Sequence, residues 1–438
     1  MNTPIFDFLK KYSAEDAVRL HMPGHKGKGQ LGESLDITEI QGADSLYDAS
    51  GIIAESEKNA SELFGCPTFY STEGSSLAIR AMLHLAVGLR ANRTERPLIL
   101  AGRNAHKVFI SAAALIDFDI EWLHGGSSYL SCKITAADIE ARLSSGKRLP
   151  AAVYITSPDY LGNMADIRQI AEACHKFGVL LLVDNAHGAY LKFLPESLHP
   201  MDLGADMCAS SAHKTLPVLT GGAYLQISKF LPVSQGEAKS ALSLYGSTSP
   251  SYLILASLDL ANKDRHDIMG AVKLTEVLKS KLIKLGFALM ESEPMKITVC
   301  PKSFGYTGIA LGKHLENQGI NPEFYDNDHL VLMLSETTSE DDAARLISAM
   351  EKLQKRPSIT EVPPKMSLPK APLTPREAIF SPSEKIPLSE ANGRILASVT
   401  VGCPPAVPIV ISGEIISRDA IRAMEYYGIN EVITVKSK

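Results

Sequence analysis

The stretch VLLLVDNAHGAYL (179–191) begins as a continuous apolar run and ends that run at a carboxylate, Asp184. Uninterrupted apolar character is typical of a strand in a parallel sheet that is covered on both faces. A carboxylate at the end of a buried strand is costly to desolvate unless a cation or a strong donor meets it. We therefore expect a positive group near Asp184. The simpler interpretation is that Asp184 caps the next segment and that His187 is an ordinary polar residue with its hydrogen bonds satisfied.

Strand and helix patterns alternate on both sides of this stretch. The predicted strands are PLILAG (97–102), DIEWL (119–123), AAVYIT (151–156), VLLLVD (179–184) and ADMCASS (205–211). The predicted helices between them are HKVFISAAALI (106–116), TAADIEARLSS (135–145) and MADIRQIAEACHKFG (164–178). This alternation predicts an α/β fold with a doubly wound, mostly parallel sheet, whose ligands lie beyond the carboxyl ends of the strands.

The whole chain is predicted to have five parts. They are an amino-terminal arm (1–30), a large α/β domain (31–265), a smaller α+β domain (266–356), a proline-rich linker (357–375) and a carboxyl-terminal module (376–438). Strand and helix patterns such as MKITVC (295–300) and SEDDAARLISAMEKLQ (339–354) indicate the smaller domain. Six prolines between Pro357 and Pro375 mark the linker, since proline neither donates to a strand ladder nor continues a helix.

The composition of the 438 residues favours small-molecule chemistry over nucleic-acid or membrane binding. The net charge of -5 comes from well-mixed signs and offers no basic face. No segment approaches the roughly 20 apolar residues of a membrane helix, and the start MNTPIFDFLKKYSAEDAVRL predicts an amphipathic helix rather than a secretion signal. Six cysteines without a Cys-x-x-Cys pair argue against a disulfide framework. We expect a protein of the reducing cytoplasm.

The segment YSTEGSSLAIR (70–80) contains a candidate anion site. Thr72 or a neighbour would cap a helix whose first turn carries Gly74, Ser75 and Ser76. Backbone N–H groups, hydroxyls and the positive end of the helix dipole converge there, which suits a phosphate. The alternative is a capped helix that binds no ligand.

The segment SSAHKTLPVLTGG (210–222) places Lys214 directly after a predicted strand. A phosphate site, a buried carboxylate and a lysine, in this order on a doubly wound sheet, match the needs of pyridoxal phosphate (PLP). The lysine amine would bond to the cofactor aldehyde, and Asp184 would keep the pyridine nitrogen protonated. Ser211 and His213 would lie in reach of the phosphate. The alternative for Lys214 alone is a surface lysine in a loop.

Two further segments carry candidate cofactor contacts. In RNAHKVFISAAAL (103–115), His106 follows a strand and precedes a helix, where it would either stack on the pyridine ring or cap the helix. In GSTSPSYLILASLD (246–259), the hydroxyls of Ser247, Thr248 and Ser249 precede an apolar helix. They would contact a phosphate, including that of a neighbouring subunit, or cap the helix.

These motifs, taken together, resemble the Orn/Lys/Arg decarboxylase family of fold-type I PLP enzymes. The matching stretches, in the order of the family, are HMPGHKGKG (21–29), DITEIQGADSLYDASGII (36–53), STEGSSLAIRAML, RNAHK, DNAHGAYL, SAHKTLP and STSPSYLILASLD. The tail PLSEANGRILASVTVGCPPAVPIVISGEII resembles the family's carboxyl-terminal module less strongly.

The resemblance implies a role for each motif residue. Lys214 is implied to be the Schiff-base lysine, Asp184 the partner of the pyridine nitrogen and His106 the ring-stacking residue. His187 would lie beside the cofactor oxygen or Asp184. The residues implied to bind the phosphate are Gly74, Ser75, Ser76, Ser211, His213 and, across a dimer interface, Thr248. The arm residues His21, His25 and Lys26 would line the site or the subunit interface.

The activity implied is decarboxylation of arginine, lysine or ornithine to the corresponding amine in polyamine metabolism. The chain begins almost at the HMPGHK motif, without the receiver-like wing of the large acid-stress members, so a homodimer or homotetramer is expected rather than a decamer. Ala406 stands where a glycine often follows the paired prolines. The acidic candidates for binding the distal cationic group of the substrate are Asp44, Asp48 and Glu414; the alternative for each is a surface or capping carboxylate.

Three other functions stay open at this point. One is another PLP enzyme of the same fold, an aminotransferase or an aldolase, and a second is a non-catalytic regulatory protein that keeps the fold. The third is a metal hydrolase built from His21, His25 and His187. It is the least favoured, because no His-Glu-x-x-His or comparable ligand spacing occurs.

Overall fold

The computed structural model describes residues 1–15, 17–90, 95–123, 132–263, 267–403 and 407–436. Position 406, where the alanine departs from the family pattern, lies outside this part of the chain. The chain divides into two compact units. The first comprises residues 1–91, 151–153 and 167–266, and the second comprises residues 92–150, 154–166 and 267–438.

Fourteen α-helices occur among the described residues. They are α1 (Pro4–Ala14), α2 (Ile52–Phe64), α3 (Gly74–Arg90), α4 (Lys107–Ile116), α5 (Ala136–Leu143), α6 (Ile167–Lys176), α7 (Ala212–Thr215), α8 (Gln235–Tyr245), α9 (Tyr252–Lys263), α10 (Ile268–Lys284), α11 (Gly308–Glu316), α12 (Glu340–Glu351), α13 (Pro375–Ile379) and α14 (Arg418–Tyr426).

Fifteen strands occur in the same ranges. They are β1 (Thr68–Ser71), β2 (Leu98–Gly102), β3 (Asp119–Leu123), β4 (Ala152–Thr156), β5 (Leu180–Asp184), β6 (Met207–Ser210), β7 (Ala223–Ile227), β8 (Ala288–Met290), β9 (Lys296–Cys300), β10 (Phe324–Tyr325), β11 (Leu330–Met333), β12 (Ser383–Pro387), β13 (Thr400–Cys403), β14 (Val407–Ile411) and β15 (Glu431–Val435).

The main sheet has seven strands in the order β1-β7-β6-β5-β4-β2-β3. The pairs β2–β3 and β5–β6 are parallel, whereas β7 runs antiparallel to both β6 and β1. The non-sequential strand order is that of a doubly wound sheet. The predicted α/β class with a mostly parallel sheet is therefore confirmed, and all five predicted strands appear close to their expected bounds.

In the first unit, helix α6 shows why the predicted elements form. Ile167, Ile170, Ala171 and Cys174 recur at helical spacing and are all buried. The strand β5, which follows this helix, is buried along its whole length. The amino-terminal segment forms the amphipathic helix α1, whose Ile5 and Leu9 are fully buried.

In the second unit, a four-stranded antiparallel sheet has the order β10-β11-β9-β8. Apolar residues of this sheet form one core with residues of α10, α11 and α12, so the predicted smaller α+β part is present. Residues 353–374 contain neither helix nor strand. Beyond them, β12 pairs with β15 and β13 pairs with β14, and a second core joins these strands to α14.

Candidate active site

Lys214 lies in the short helix α7, immediately after β6. The backbone N–H of Lys214 donates to the carbonyl of Ser211 at 3.2 Å, and the N–H of His213 donates to the carbonyl of Gly222 at 3.1 Å. These bonds hold the turn after β6 against the segment that enters β7. The Lys214 amine then lies 3.1 Å from Nε2 of His187, so the lysine side chain is held against the turn that follows β5.

Asp184 is the last residue of β5 and is 2% exposed. Its Oδ1 accepts a hydrogen bond from the Ala186 N–H at 3.2 Å, which is the capping contact that the simpler interpretation predicted. The turn continues with a bond from Gly188 N–H to the Asn185 carbonyl at 2.9 Å. A Cβ at Gly188 would lie 2.0 Å from Asn185 Oδ1, so this turn requires glycine. It places His187, which is 5% exposed, toward Lys214.

The predicted anion site at the start of α3 is next to the lysine segment. Gly74 has φ +71°, and its N–H donates to the Gly221 carbonyl at 2.7 Å. A Cβ at Gly74 would lie 3.9 Å from Cε1 of His213. The first turn of an α-helix leaves N–H groups without intrahelical acceptors. The half-buried Ser75 and Ser76 lie in this turn, so the structure brings the first turn of α3 and the lysine segment together.

Ser211 has a hydroxyl whose hydrogen bonding is not satisfied by the described residues. The residue is 1% exposed, its Oγ is buried without a partner in that part of the chain, and it makes no side-chain cap for α7. Its neighbour Ser210 differs, because Ser210 Oγ donates to Gln226 and accepts from Asn185. Buried polar groups in native proteins are nearly always paired. The Ser211 hydroxyl is therefore able to donate to a ligand acceptor.

His213 contributes a ring with a defined tautomer. Its Nδ1 lies 2.9 Å from the Gly222 carbonyl oxygen, which can only accept, so Nδ1 carries a proton. Burial lowers the pKa of His213, the bond to Gly222 raises it, and the charge of Lys214 lowers it, with a net shift below the ordinary value of 6.5. In the neutral ring Nε2 then holds a lone pair, and it donates only after a second proton binds.

The loop before α9 lies beside the start of α3 in the same chain. The Ser247 N–H donates to a Glu73 carboxylate oxygen at 2.6 Å, and Glu73 directly precedes Gly74. Thr248 is exposed. Its contact with a phosphate, within one chain or across a dimer, stays a prediction.

His106 belongs to the second unit, where it is the N-cap of α4. Its Nδ1 accepts from the Val108 N–H at 3.3 Å, which is the helix-capping alternative considered for this residue. The ring is half-buried. Capping through Nδ1 fixes the ring orientation and is compatible with stacking, but the stacking role itself stays a prediction.

The acidic candidates for the substrate's distal group have other partners in two of three cases. Asp44 accepts backbone N–H bonds at the start of α2. Burial raises the pKa of the Asp44 carboxyl, but four backbone N–H donors, led by those of Ser50 and Gly51, together lower it more, so it lies below the ordinary value. Glu414 pairs with Arg103. Asp48 is exposed. No sequence pattern indicates that Glu414 pairs with Arg103.

The histidines considered for a metal site contact three different partners. His21 Nε2 lies 2.7 Å from the Tyr12 hydroxyl, and His25 Nε2 lies 3.1 Å from an Asp36 oxygen. His187 faces Lys214. Lys26, which belongs to the same arm as His21, donates to the His21 carbonyl at 2.6 Å. The arm residues are thus held by contacts within the arm and with its nearest neighbours along the chain.

A doubly wound sheet with a lysine after one strand, a carboxylate at the end of the adjacent strand and a Gly-Ser helix start defines a fold-type I PLP enzyme. Solved structures share this fold. A lysine decarboxylase from Francisella novicida is 18% identical with a TM-score of 0.82, over 99% of this chain and 81% of that chain. The constitutive lysine decarboxylase of E. coli is 18% identical with a TM-score of 0.77, over 99% and 82%.

Sequence similarity is more specific than the fold. Residues 3–289 match the family described as Orn/Lys/Arg decarboxylase, major domain, and residues 359–435 match its C-terminal domain. The chain is 33% identical to an arginine decarboxylase of Bacillus subtilis over 96% of this chain and 92% of that protein. An arginine decarboxylase of Bacillus anthracis is 30% identical over 95% and 91%. The chain belongs to the Orn/Lys/Arg decarboxylase family, as the motif resemblance predicted.

The protein is therefore a PLP-dependent decarboxylase, and its residues fit the cofactor. The Ser211 hydroxyl, which has no partner among the described residues, and the close approach of His213 to Gly74 suit a phosphate, and the buried Asp184 suits a protonated ring nitrogen. Within the described part of the chain, no helix is long and apolar enough to cross a membrane.

Proposed function

We propose that the protein decarboxylates L-arginine to agmatine and carbon dioxide, with lysine and ornithine as the alternative substrates. The observation that carries the proposal is the Lys214 amine held 3.1 Å from His187, in the turn next to the buried Asp184. The choice of arginine is supported by relatives. The relatives named arginine decarboxylase match almost the whole chain at 30–33% identity, whereas a lysine decarboxylase of Pseudomonas aeruginosa matches 59% of it at 25%.

Each side chain has a defined task in this proposal. When bound, PLP supplies an aldehyde that bonds to amines and a ring that accepts the electron pair of the broken Cα–carboxylate bond. Lys214 holds the cofactor through its amine. Asp184, a buried carboxylate, holds the proton on the ring nitrogen. His106 packs on the ring face and fixes its orientation. The residues that bind the phosphate are Gly74, Ser75, Ser76, Ser211, His213 and Thr248.

The reaction consumes one proton, and the Lys214–His187 pair is placed to deliver it. An amino acid loses its carboxylate as carbon dioxide, and Cα must gain a proton to give the amine. A lysine amine within hydrogen-bond distance of an imidazole nitrogen can pass a proton to substrate and regain one from the ring. We therefore assign the proton transfer to Lys214 Nζ, with His187 Nε2 as its partner.

The wider setting belongs to the same proposal. Agmatine is a precursor of polyamines, so the protein would act in polyamine metabolism in the cytoplasm. It would work as a homodimer or homotetramer, with the arm residues His21, His25 and Lys26 and the loop of Thr248 near the subunit interface. Sedimentation velocity of the cofactor-loaded protein tests the assembly.

The direct test supplies arginine, lysine and ornithine in separate reactions and measures the released carbon dioxide and the amine. We expect agmatine from arginine at the highest kcat/KM, and turnover lowered by about a thousandfold or more in the Lys214→Ala variant. Faster formation of cadaverine or putrescine would change the assigned substrate to lysine or ornithine, and the protein would still be a decarboxylase. A keto acid without carbon dioxide would identify an aminotransferase, and cofactor binding without any product would identify a regulatory protein.

A further inference from the structure

Arg103 and Glu414 form a buried ion pair within the second unit. Arg103 Nη1 and Nη2 lie 2.7 and 2.8 Å from the two carboxylate oxygens of Glu414. Their side chains are 6% and 2% exposed. Glu414 is fixed further by the Ile411 N–H, which donates to Oε2 at 2.9 Å. The pair therefore joins the segment after β2 to the carboxyl-terminal module (residues 376–438).

Arg103 lies three residues before His106, the predicted ring-stacking residue. Arg103 lies in the turn closed by the Ala105 N–H and the Gly102 carbonyl at 3.1 Å. His106, the N-cap of α4, follows at once. A rigid anchor on Arg103 therefore limits where the His106 ring can lie.

The same module also holds the other end of α4. Arg376 Nη1 donates to the Ala114 carbonyl at 2.9 Å, in the last turn of the helix. Carbonyls there lack intrahelical donors, and a cation near them is favoured by the helix dipole. The carboxyl-terminal module therefore contacts both ends of α4. Glu414 of the module binds Arg103 just before the helix, and Arg376 of the module binds a carbonyl in its last turn.

Stability alone is a weak reason for such a pair. A buried ion pair loses much of its Coulomb energy to desolvation, and apolar replacements are often equally stable. Two parallel N–H bonds from one guanidinium, however, fix direction as well as distance. The arrangement is better suited to holding geometry than to adding free energy of folding.

We propose that Arg103 and Glu414 are positioning residues through which the carboxyl-terminal module orients His106 for the cofactor. This inference rests on the ring-stacking role of His106 in the proposed function. It assigns Glu414 to the support of the cofactor site rather than to the cationic end of the substrate.

The chain contains a built-in reporter for the pair. Trp122 is the single tryptophan, and the Arg103 guanidinium carbon lies 4.8 Å from its ring centroid. The Trp122 ring also lies 6.0 Å from that of Phe109, a residue of α4. Tryptophan fluorescence therefore reports on Arg103 and α4 without any need for turnover.

The test compares Glu414→Gln and Arg103→Lys with Glu431→Gln, a control in the exposed pair with Lys385 of the same module. We expect both pair variants to change Trp122 fluorescence and the circular dichroism of bound PLP. We also expect the Kd of PLP to rise about tenfold and kcat to fall by ten- to a hundredfold, since a displacement of about 1 Å at a site has effects of this size. The control should match the wild type in all four measurements.

Every outcome decides the inference. Altered Trp122 fluorescence with wild-type PLP affinity and dichroism would overturn it and leave the decarboxylase assignment intact. Failure of both pair variants to fold would show a purely structural pair and overturn it as well. His106→Ala is the reference variant. If its bound PLP shows wild-type dichroism, the stacking role in the proposed function fails together with this inference.

Discussion

The Lys214 amine and His187 Nε2 face each other at 3.1 Å, across the turns that follow two adjacent parallel strands. Only one of the two nitrogens can hold the shared proton. A bond of this kind keeps the lysine side chain directed into the site before any cofactor arrives, and it links the lysine to a second titratable group. The predictions about cofactor chemistry begin from this pair.

Replacing Lys214 by alanine should abolish the visible absorption band of the protein-bound cofactor and lower turnover by about a thousandfold or more. The reason is that the visible band depends on the bond between the Lys214 amine and the cofactor aldehyde. Lys192→Ala is the matched control, since Lys192 pairs with Asp202 in the same unit, and it should keep both band and turnover. Borohydride reduction followed by peptide mapping should label Lys214 in the wild type. A label elsewhere would contradict the assignment.

Asp184→Asn should keep the cofactor but lower kcat by about a hundredfold or more, because a neutral amide no longer stabilises the ring proton. The control is Asp206→Asn. Asp206 precedes β6 and accepts the Leu181 N–H at 2.7 Å, at the opposite end of these parallel strands. Its loss should leave the absorption spectrum of the cofactor unchanged. An unaltered kcat in the Asp184 variant would exclude the role given to Asp184.

Ser211 and Ser210 should respond in opposite ways to replacement by alanine. Ser211→Ala removes a buried hydroxyl without a partner among the described residues, so the cofactor-free protein should be as stable as the wild type. Its affinity for PLP should fall about tenfold to a hundredfold, the effect of one hydrogen bond to a charged group. Ser210→Ala deprives Asn185 and Gln226 of a partner.

The Ser210 variant should therefore lose about 1–3 kcal/mol of unfolding free energy and keep its affinity for PLP. Urea unfolding of the cofactor-free proteins and fluorescence titration with PLP measure the two quantities. Equal losses of affinity in both variants would show that Ser211 has no special contact with the phosphate.

His213 should make PLP binding depend on pH. Its pKa lies below 6.5 in the free protein, through burial first and the charge of Lys214. Contact of Nε2 with a phosphate anion would raise that pKa, because a nearby negative charge favours the protonated ring. Affinity should then be highest below the pKa of the free protein and fall as pH rises through that of the complex. His213→Gln should make the affinity for PLP less dependent on pH in this range. The same pH dependence in the wild type and in this variant would contradict the contact between His213 and the phosphate.

The sequence predicts secondary structure best where a buried strand appears as a continuous run of apolar residues. Strands β2 and β5 are buried at every position, and the resulting apolar runs predict them without further help. Asp184 is also predictable, since a carboxylate that ends such a run needs a partner. The antiparallel direction of β7 is not, because burial on both faces gives the same pattern for either direction.

The Arg103–Glu414 pair shows what sequence reasoning could not reach. Its members are 311 positions apart, and neither neighbourhood contains a pattern that refers to the other. Glu414 in isolation suggests a binding residue for a cationic substrate, whereas in the folded protein its carboxylate pairs with the Arg103 guanidinium. Likewise, no motif indicates that the Ser211 hydroxyl has no partner among the described residues while the Ser210 hydroxyl contacts Asn185 and Gln226, because that difference arises from packing.

Asp259 should make the stability of the first unit depend on pH. Its carboxylate accepts the N–H groups of Ile5 and Phe6 at the start of α1 and the Ser56 hydroxyl. Burial raises the pKa of Asp259 to about 6 from 3.8, although these donors lower it. A group with a raised pKa in the folded state binds more protons there than in the unfolded chain. Its contribution to stability is therefore full below pH 3.8 and is lost as pH rises through about 6.

The loss amounts to about 3 kcal/mol for a shift of this size. Asp259→Asn is neutral at every pH, and its amide oxygen can still accept the two N–H groups of α1. The wild type should therefore lose about 3 kcal/mol of unfolding free energy relative to this variant between pH 3 and pH 7. Asp7→Asn changes an exposed carboxylate in the first turn of α1. Its curve of unfolding free energy against pH should run nearly parallel to that of the wild type. Chemical denaturation at a series of pH values gives the three curves. A constant difference between the wild type and Asp259→Asn would mean that Asp259 titrates alike in the folded and unfolded chains.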